Sequence, residues 1–188
     1  MKVGNKDIEE QVFSIVKRLL INQGVKGWNM DDLARESGLS KRTLYKIIGR
    51  KEELLTKIVE RSLSKYISII KQYTNESSDY NVLLDKLSET IVNNFDEFVI
   101  TSSDSITREY PQIKQIILKK REELRKSNIE FYRRGQKLGY IIKQFDPETI
   151  IKIIDALIDY NINETNSKKE FEIELNKALR IIIRGIKQ

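Results

Sequence analysis

The 188-residue sequence predicts an all-α fold, and three observations carry that prediction. Apolar residues recur three and four positions apart along nearly the whole chain, while strand-type alternation between turn dipeptides is missing. Capping residues and glycines punctuate this pattern where helices should start and stop. Only two prolines occur, and both Pro111 and Pro147 stand where a helix can begin. Hydrophobic content of 39% is enough to fill a core.

The elements follow in order. Ile8, Val12, Ile15 and Leu19 make the stripe of a first helix, which Gly24 stops. A second helix runs from Met30 to Ser37 behind the cap Asn29, and a third from Lys41 to about Ile48 behind the cap Ser40. Gly38 between them can take the left-handed conformation that ends a helix. A long fourth helix starts at Lys51 and reaches about Tyr73, with Leu55, Val59, Ser62, Tyr66 and Ile70 on one face. Asp79 caps a fifth, whose stripe is Leu84, Leu87, Ile91, Phe95 and Phe98. Thr101-Ser102-Ser103 is expected to break the chain before a short sixth helix that ends at Pro111. A seventh runs from Pro111 to Gly139, where Gly135 costs about 1 kcal/mol against Ala. Asp146-Pro147-Glu148 opens an eighth, since the carboxylate caps, Pro presets the dihedral and Glu suits the positive helix end. Ser167 and Glu170 have capping-box spacing and open a ninth, which reaches about Gly185.

The second and third helices, joined by a tight glycine turn, have the geometry that lays a helix into the DNA major groove. Charge points the same way. Residues 1–51 hold 11 Lys and Arg against 6 Asp and Glu, a net +5, out of +6 for the whole chain. A basic patch on one module is the footprint of a phosphate-backbone binder. Lys41 and Arg42 open the third helix, where positive charge opposes the helix dipole, and an anionic partner would compensate. Arg42 is the candidate base reader, because a guanidinium can bond guanine O6 and N7 together. Lys46 offers a charge to phosphate.

Residues 29–54 resemble the DNA-binding segment of the TetR family of bacterial transcriptional regulators. The likeness rests on Asn29, Met30, Asp32, Leu33, Ala34, Gly38, Leu39, Ser40, Thr43-Leu44-Tyr45 and Lys51-Glu52-Glu53-Leu54. It covers roughly residues 8 to 56. Ile47 and Ile48 stand where the family often has an aromatic pair, Arg42 where it often has Gly, and Arg50 where a small capping residue is common. The resemblance implies a DNA-binding domain over residues 1–50 and a regulatory and dimerisation domain over 51–188. It further implies that Tyr45 and Lys51 contact phosphate, and that Asn29, Ser40 and Thr43 lie at the same DNA surface. The implied activity is repression from a pseudo-palindromic operator by a homodimer, with release by a small-molecule effector.

Absence of Cys and His removes thiol chemistry and the commonest transition-metal ligand, so no metal and no cofactor are expected. No nucleophile–base set or phosphate loop argues for an enzyme. No apolar run approaches the roughly 18 residues that span a membrane, and a cytoplasmic location is expected. The charge clusters Lys119-Lys120-Arg121 and Arg133-Arg134 read as solvated, ion-paired faces. Ser62, Tyr66, Phe95, Phe98, Tyr110 and Phe131 are the candidate lining of a mostly apolar effector site. Ile151, Ile154, Ile158, Leu175, Leu179 and Ile182 are the candidate dimer interface. Two alternatives stand beside this reading. One is a DNA-binding protein of this family acting without a small ligand, through a protein partner or as a nucleoid organiser. The other is an enzyme or scaffold on a helical bundle.

Overall fold

The computed structural model describes residues 5–165 and 167–188. Among them are nine helices: α1 (Asn5–Gln23), α2 (Met30–Ser37), α3 (Lys41–Ile48), α4 (Lys51–Thr74), α5 (Tyr80–Asn93), α6 (Glu97–Glu109), α7 (Pro111–Leu138), α8 (Pro147–Glu164) and α9 (Lys168–Ile186). No strand occurs among the described residues. No helix among them is long and apolar enough to cross a membrane.

Local chemistry explains the ends. Asp79 accepts from the Asn81 N–H at 2.8 Å, and Asp146 from the Thr149 N–H at 3.0 Å, satisfying donors that a first turn leaves open. Ser167 does the same for Glu170 at 3.2 Å. Arg50 precedes α4 without a side-chain cap.

One expected break is absent. Thr101, Ser102 and Ser103 lie inside α6, and the chain turns earlier, at 94–96. The Thr101 hydroxyl, which argued for a loop, bonds back within the helix to the Glu97 carbonyl at 3.2 Å, and Thr107 Oγ1 does the same to the Ser103 carbonyl at 3.0 Å. Ser102 Oγ instead reaches the Leu20 carbonyl of α1 at 3.1 Å.

Buried side chains form two clusters. The first joins α1–α3 (Val12, Val16, Leu33, Leu44, Ile48) to the start of α4 (Leu54, Leu55, Ile58). It does not stop at residue 50, for Phe98 and Ile106 of α6 and Ile113 of α7 belong to it. The second is built from α4, α5 and α7–α9 around Ile70, Leu84, Phe131, Ile151, Phe171 and Leu175. Helix α4 packs along α7, α5 along α9, and α1 on α6. Near the C-terminus, the Ile142 N–H donates to the Ile186 carbonyl at 2.9 Å and the Gln188 N–H to the Tyr140 carbonyl at 3.1 Å, so the chain end pins the α7–α8 connection.

Candidate nucleic-acid interface and internal cavity

The α2–α3 pair is fixed by short-range bonds. Asn29 Oδ1 accepts from the N–H groups of Asp31 (2.7 Å) and Asp32 (3.2 Å), and the Asp32 carboxylate accepts from the Asn29 N–H at 2.9 Å. This is a complete capping box. The Asn29 N–H, with help from Arg35, holds the Asp32 carboxyl below its ordinary value. Gly38 closes α2 at φ 67°, ψ 15°, a conformation a side chain disfavours. Ser40 Oγ accepts from the Thr43 N–H at 3.1 Å and lies 2.8 Å from Thr43 Oγ1.

Leu44 and Ile48 anchor α3 in the first core at 0% exposure. The helix period then turns Arg42, Tyr45 and Lys46 outward together. Tyr45 is 47% exposed. Arg42 and Lys46 are exposed and make no ion pair among the described residues. Lys41 is exposed too, and Asp31 holds it by an ion pair that raises its affinity for its proton. Asn29 and Ser40 are exposed at the two helix starts, and Thr43 is half-buried. Six of the eight expected contact residues are thus exposed.

Lys51, expected to contact phosphate, is turned away from them. Its ammonium turns inward and donates to the carbonyls of Val25 (2.6 Å) and Trp28. It lies 3.9 Å from the centroid of the Trp28 ring. Burial lowers its proton affinity, against Glu109 and Asp32, which raise it. Two carbonyls and an aromatic face are partners for the charged form.

Helices α4–α8 line a partly open cavity of about 420 Å³. Ser62, Tyr66, Phe95, Phe98 and Phe131 line it. Tyr110 does not. It stands at the junction of α6 and α7 and packs against the first core, which corrects its expected place. The Tyr66 and Phe95 ring centroids are 4.6 Å apart, and Phe95 meets Phe171 at 5.2 Å. The Ser62 hydroxyl donates to the Asp96 carboxylate, which also receives Lys17 of α1 at 2.8 Å. Burial works against the Asp96 charge, but Lys17 and Ser62 outweigh it and hold this carboxyl below its ordinary value. A polar chain therefore runs from the cavity wall to the first helix.

At the α7–α8 wall, Asp155 and Asp159 had no place in the sequence reading, and Arg121 was expected on a solvated, ion-paired face. Arg121 clasps Asp159 through two nitrogens, at 2.8 and 2.5 Å, while Asp155 lines the same cavity. An aspartate inside the apolar run Ile150–Ile158 was the available signal. Arg134, expected on a solvated face, instead donates to the Thr74 and Glu76 carbonyls at 3.0 and 3.3 Å and closes the end of α4.

The expected dimer residues lie within the single chain. Ile151, Ile154, Ile158, Leu175 and Leu179 are buried in the second core of the single chain, and Ile182 is partly buried against it. They face their own helices. The exposed apolar residues of α8 and α9 are others: Ile153, Tyr160 at 63%, Ile173, and Ile181 at 71%.

No protein-family model matches the chain. An uncharacterized HTH-type transcriptional regulator of Haemophilus influenzae is 28% identical over 80 residues, 43% of each chain. An HTH-type transcriptional regulator of Staphylococcus aureus is 29% identical over 75 residues, 39% of this chain and 40% of that one. The chain thus matches less than half the length of either relative. Solved structures align over nearly all of it. A TetR transcription regulator from Haloarcula marismortui superposes with a TM-score of 0.77 at 18% identity, covering 97% of this chain and 100% of that one. The TetR-family regulator PfmR from Thermus thermophilus gives 0.74 at 20% identity, covering 94% and 99%. The helical architecture of this chain is the fold of the TetR family of transcriptional regulators.

Proposed function

We propose that the protein is a DNA-binding transcriptional regulator, a homodimer that represses from a two-fold operator and leaves it when a small, mostly apolar ligand fills the cavity. One observation carries the DNA-binding half: Arg42, Tyr45 and Lys46 project together from a capped, well-anchored α3 and find no ion-pair partner among the described residues. Guanidinium suits base edges, while ammonium and phenol suit phosphate. The regulatory names of the two relatives agree with this, and the reading is of a regulator, not an enzyme.

The homodimer would form through the outer faces of α8 and α9, around Ile153, Tyr160 and Ile181. Such a two-fold contact is self-complementary and pairs naturally with a two-fold operator. The cavity favours ligand control over the ligand-free alternative, since about 420 Å³ of mainly apolar space falls in the range of small-molecule sites. Ser62, Asp96 and Lys17, with Ser102 on the Leu20 carbonyl, would transmit the change from the wall to α1. A ligand acts this way only if it prefers the non-binding arrangement. Selection of bound fragments from genomic DNA, followed by salt titration of the best one, tests the reading. A steep loss of affinity with salt at a two-fold site is expected, and no sequence preference at any salt would overturn it.

A further inference from the structure

We propose that the ligand of the cavity carries a positive charge, as a protonated or quaternary amine on an apolar body, and that Asp155 receives it beside Tyr66 and Tyr132. The inference rests on the reading of the cavity as the effector site.

Charge bookkeeping at the α7–α8 wall leads to it. Two arginines lie there, and each has its own carboxylate: Arg121 is held by Asp159 through both terminal nitrogens, and Arg125 reaches Glu148 at 3.4 Å. Asp155 is left over. It lines the cavity, yet its carboxylate makes no hydrogen bond or ion pair among the described residues. A carboxylate partly withdrawn from water and without a partner is costly and calls for an opposite charge. Burial raises this carboxyl above its ordinary range, and Asp159 adds to the effect against Arg121 and Arg125.

The surroundings favour a cation by a second route. Tyr66 and Tyr132 line the same cavity, and neither hydroxyl has a hydrogen-bond partner among the described residues. Tyr132 is only 2% exposed, so its open hydroxyl has nowhere to turn but the cavity. Burial pushes both phenols far above their ordinary value, and the charge of Asp155 contributes to each, which places all three groups in one electrostatic neighbourhood. Neutral phenols offer electron-rich ring faces, and Phe95 and Phe131 extend that surface. Aromatic faces around a carboxylate are what an alkylammonium group needs. An anionic ligand would instead have to displace Asp159 from Arg121, or settle by Lys114, about 10 Å along α7 by helical rise.

Three probes of one chain length separate the possibilities: octyltrimethylammonium, octanoate and 1-octanol, each titrated calorimetrically into the full chain below its micelle concentration. The cation should bind at least tenfold more tightly than either of the others. Asp155→Asn should remove that preference and leave octanol affinity unchanged. Tyr66→Leu should weaken the cation several-fold more than octanol, whereas Tyr66→Phe should not. Equal binding of all three overturns the cationic assignment and keeps the cavity as an apolar site. Tightest binding of octanoate overturns it in favour of the cationic side chains. No binding of any probe to folded protein overturns the cavity reading and this inference together.

Discussion

The Lys51 ammonium lies 3.9 Å from the centroid of the Trp28 ring and also donates to the Trp28 backbone carbonyl. One side chain thereby ties the start of α4 to the loop ahead of α2 and fixes how the α2–α3 pair is presented. Lys51→Met keeps the stem and removes the charge. It should cost about 1–3 kcal/mol of stability, from the lost cation–aromatic contact and two charge-assisted hydrogen bonds. DNA binding should weaken alike at every sequence, with the salt slope unchanged, because no phosphate contact disappears. Chemical denaturation and a salt titration read the two effects. A slope lowered by about one would return Lys51 to the phosphate backbone.

The reach of each signal along the chain decides what can be read without a structure. Asn29, Gly38 and Ser40 act on residues two to four positions away, so the ends of α2 and α3 are legible from neighbours alone. Lys51 and Trp28 stand 23 residues apart, and the resemblance already gave Lys51 a role as a phosphate ligand. Periodicity in α8 and α9 tells that Ile154 and Leu179 face something apolar, but the same stripe serves a dimer or a monomer core equally well. Ile181 and Tyr160 lie off that stripe and are exposed in the single chain. The run Thr101–Ser103 misled because hydroxyls that can leave a helix can also bond back into it.

Gly135 gives a second case in which local reasoning points the wrong way. Helix propensity alone makes Gly135→Ala a gain of about 1 kcal/mol. In the fold, a Cβ there would overlap the Tyr80 hydroxyl and ring and crowd the Ile141 side chain. Tyr80 cannot readily yield, as it is buried, stacks on Phe131 at 4.8 Å and donates to the Phe131 carbonyl at 3.0 Å. The variant should therefore be less stable by about 1–3 kcal/mol. Urea unfolding measures it, and a more stable variant would mean that Tyr80 moves aside freely.

On α3 the three outward side chains should fail in different ways. Arg42→Ala should cost about 1–3 kcal/mol on the best site and relax preference at one base position. Lys46→Ala should weaken all sequences equally and lower the salt slope by about one. Tyr45→Phe should also act on all sequences, at about 1–3 kcal/mol for a hydrogen bond to a charged group, and leave the slope unchanged. Binding isotherms on matched and scrambled sites at several salt concentrations distinguish these patterns. Unchanged affinity in all three variants would remove α3 from the interface.

The two faces of α9 allow a direct test of the dimer. Ile181 is 71% exposed and Leu179 is fully buried, though they are two residues apart. Ile181→Glu should give folded monomers that have lost most operator affinity, since each half-site alone binds weakly. Leu179→Glu should instead unfold the chain, because a carboxylate would enter the core without a partner. Sedimentation and circular dichroism separate the outcomes. A dimeric Ile181→Glu protein would place the interface elsewhere.

Asp155 should also reveal itself through pH. Its carboxyl is raised above the ordinary value of 3.8, chiefly by burial. The folded chain therefore holds that proton more tightly than the unfolded chain does. The stability that protonation contributes is complete below 3.8 and is lost as pH rises through the folded value. At pH 7 the wild type carries the cost of the buried charge, and Asp155→Asn removes it. The variant should melt a few degrees higher at neutral pH. That advantage should shrink as pH falls toward 3.8, where the wild type becomes neutral at this position as well. Thermal unfolding of both proteins across the acidic range reads the difference. If the gap stayed constant with pH, the amide would be acting through packing and not through charge. A gain in stability joined to a loss of ammonium binding would mark a group kept for its ligand at the expense of the fold.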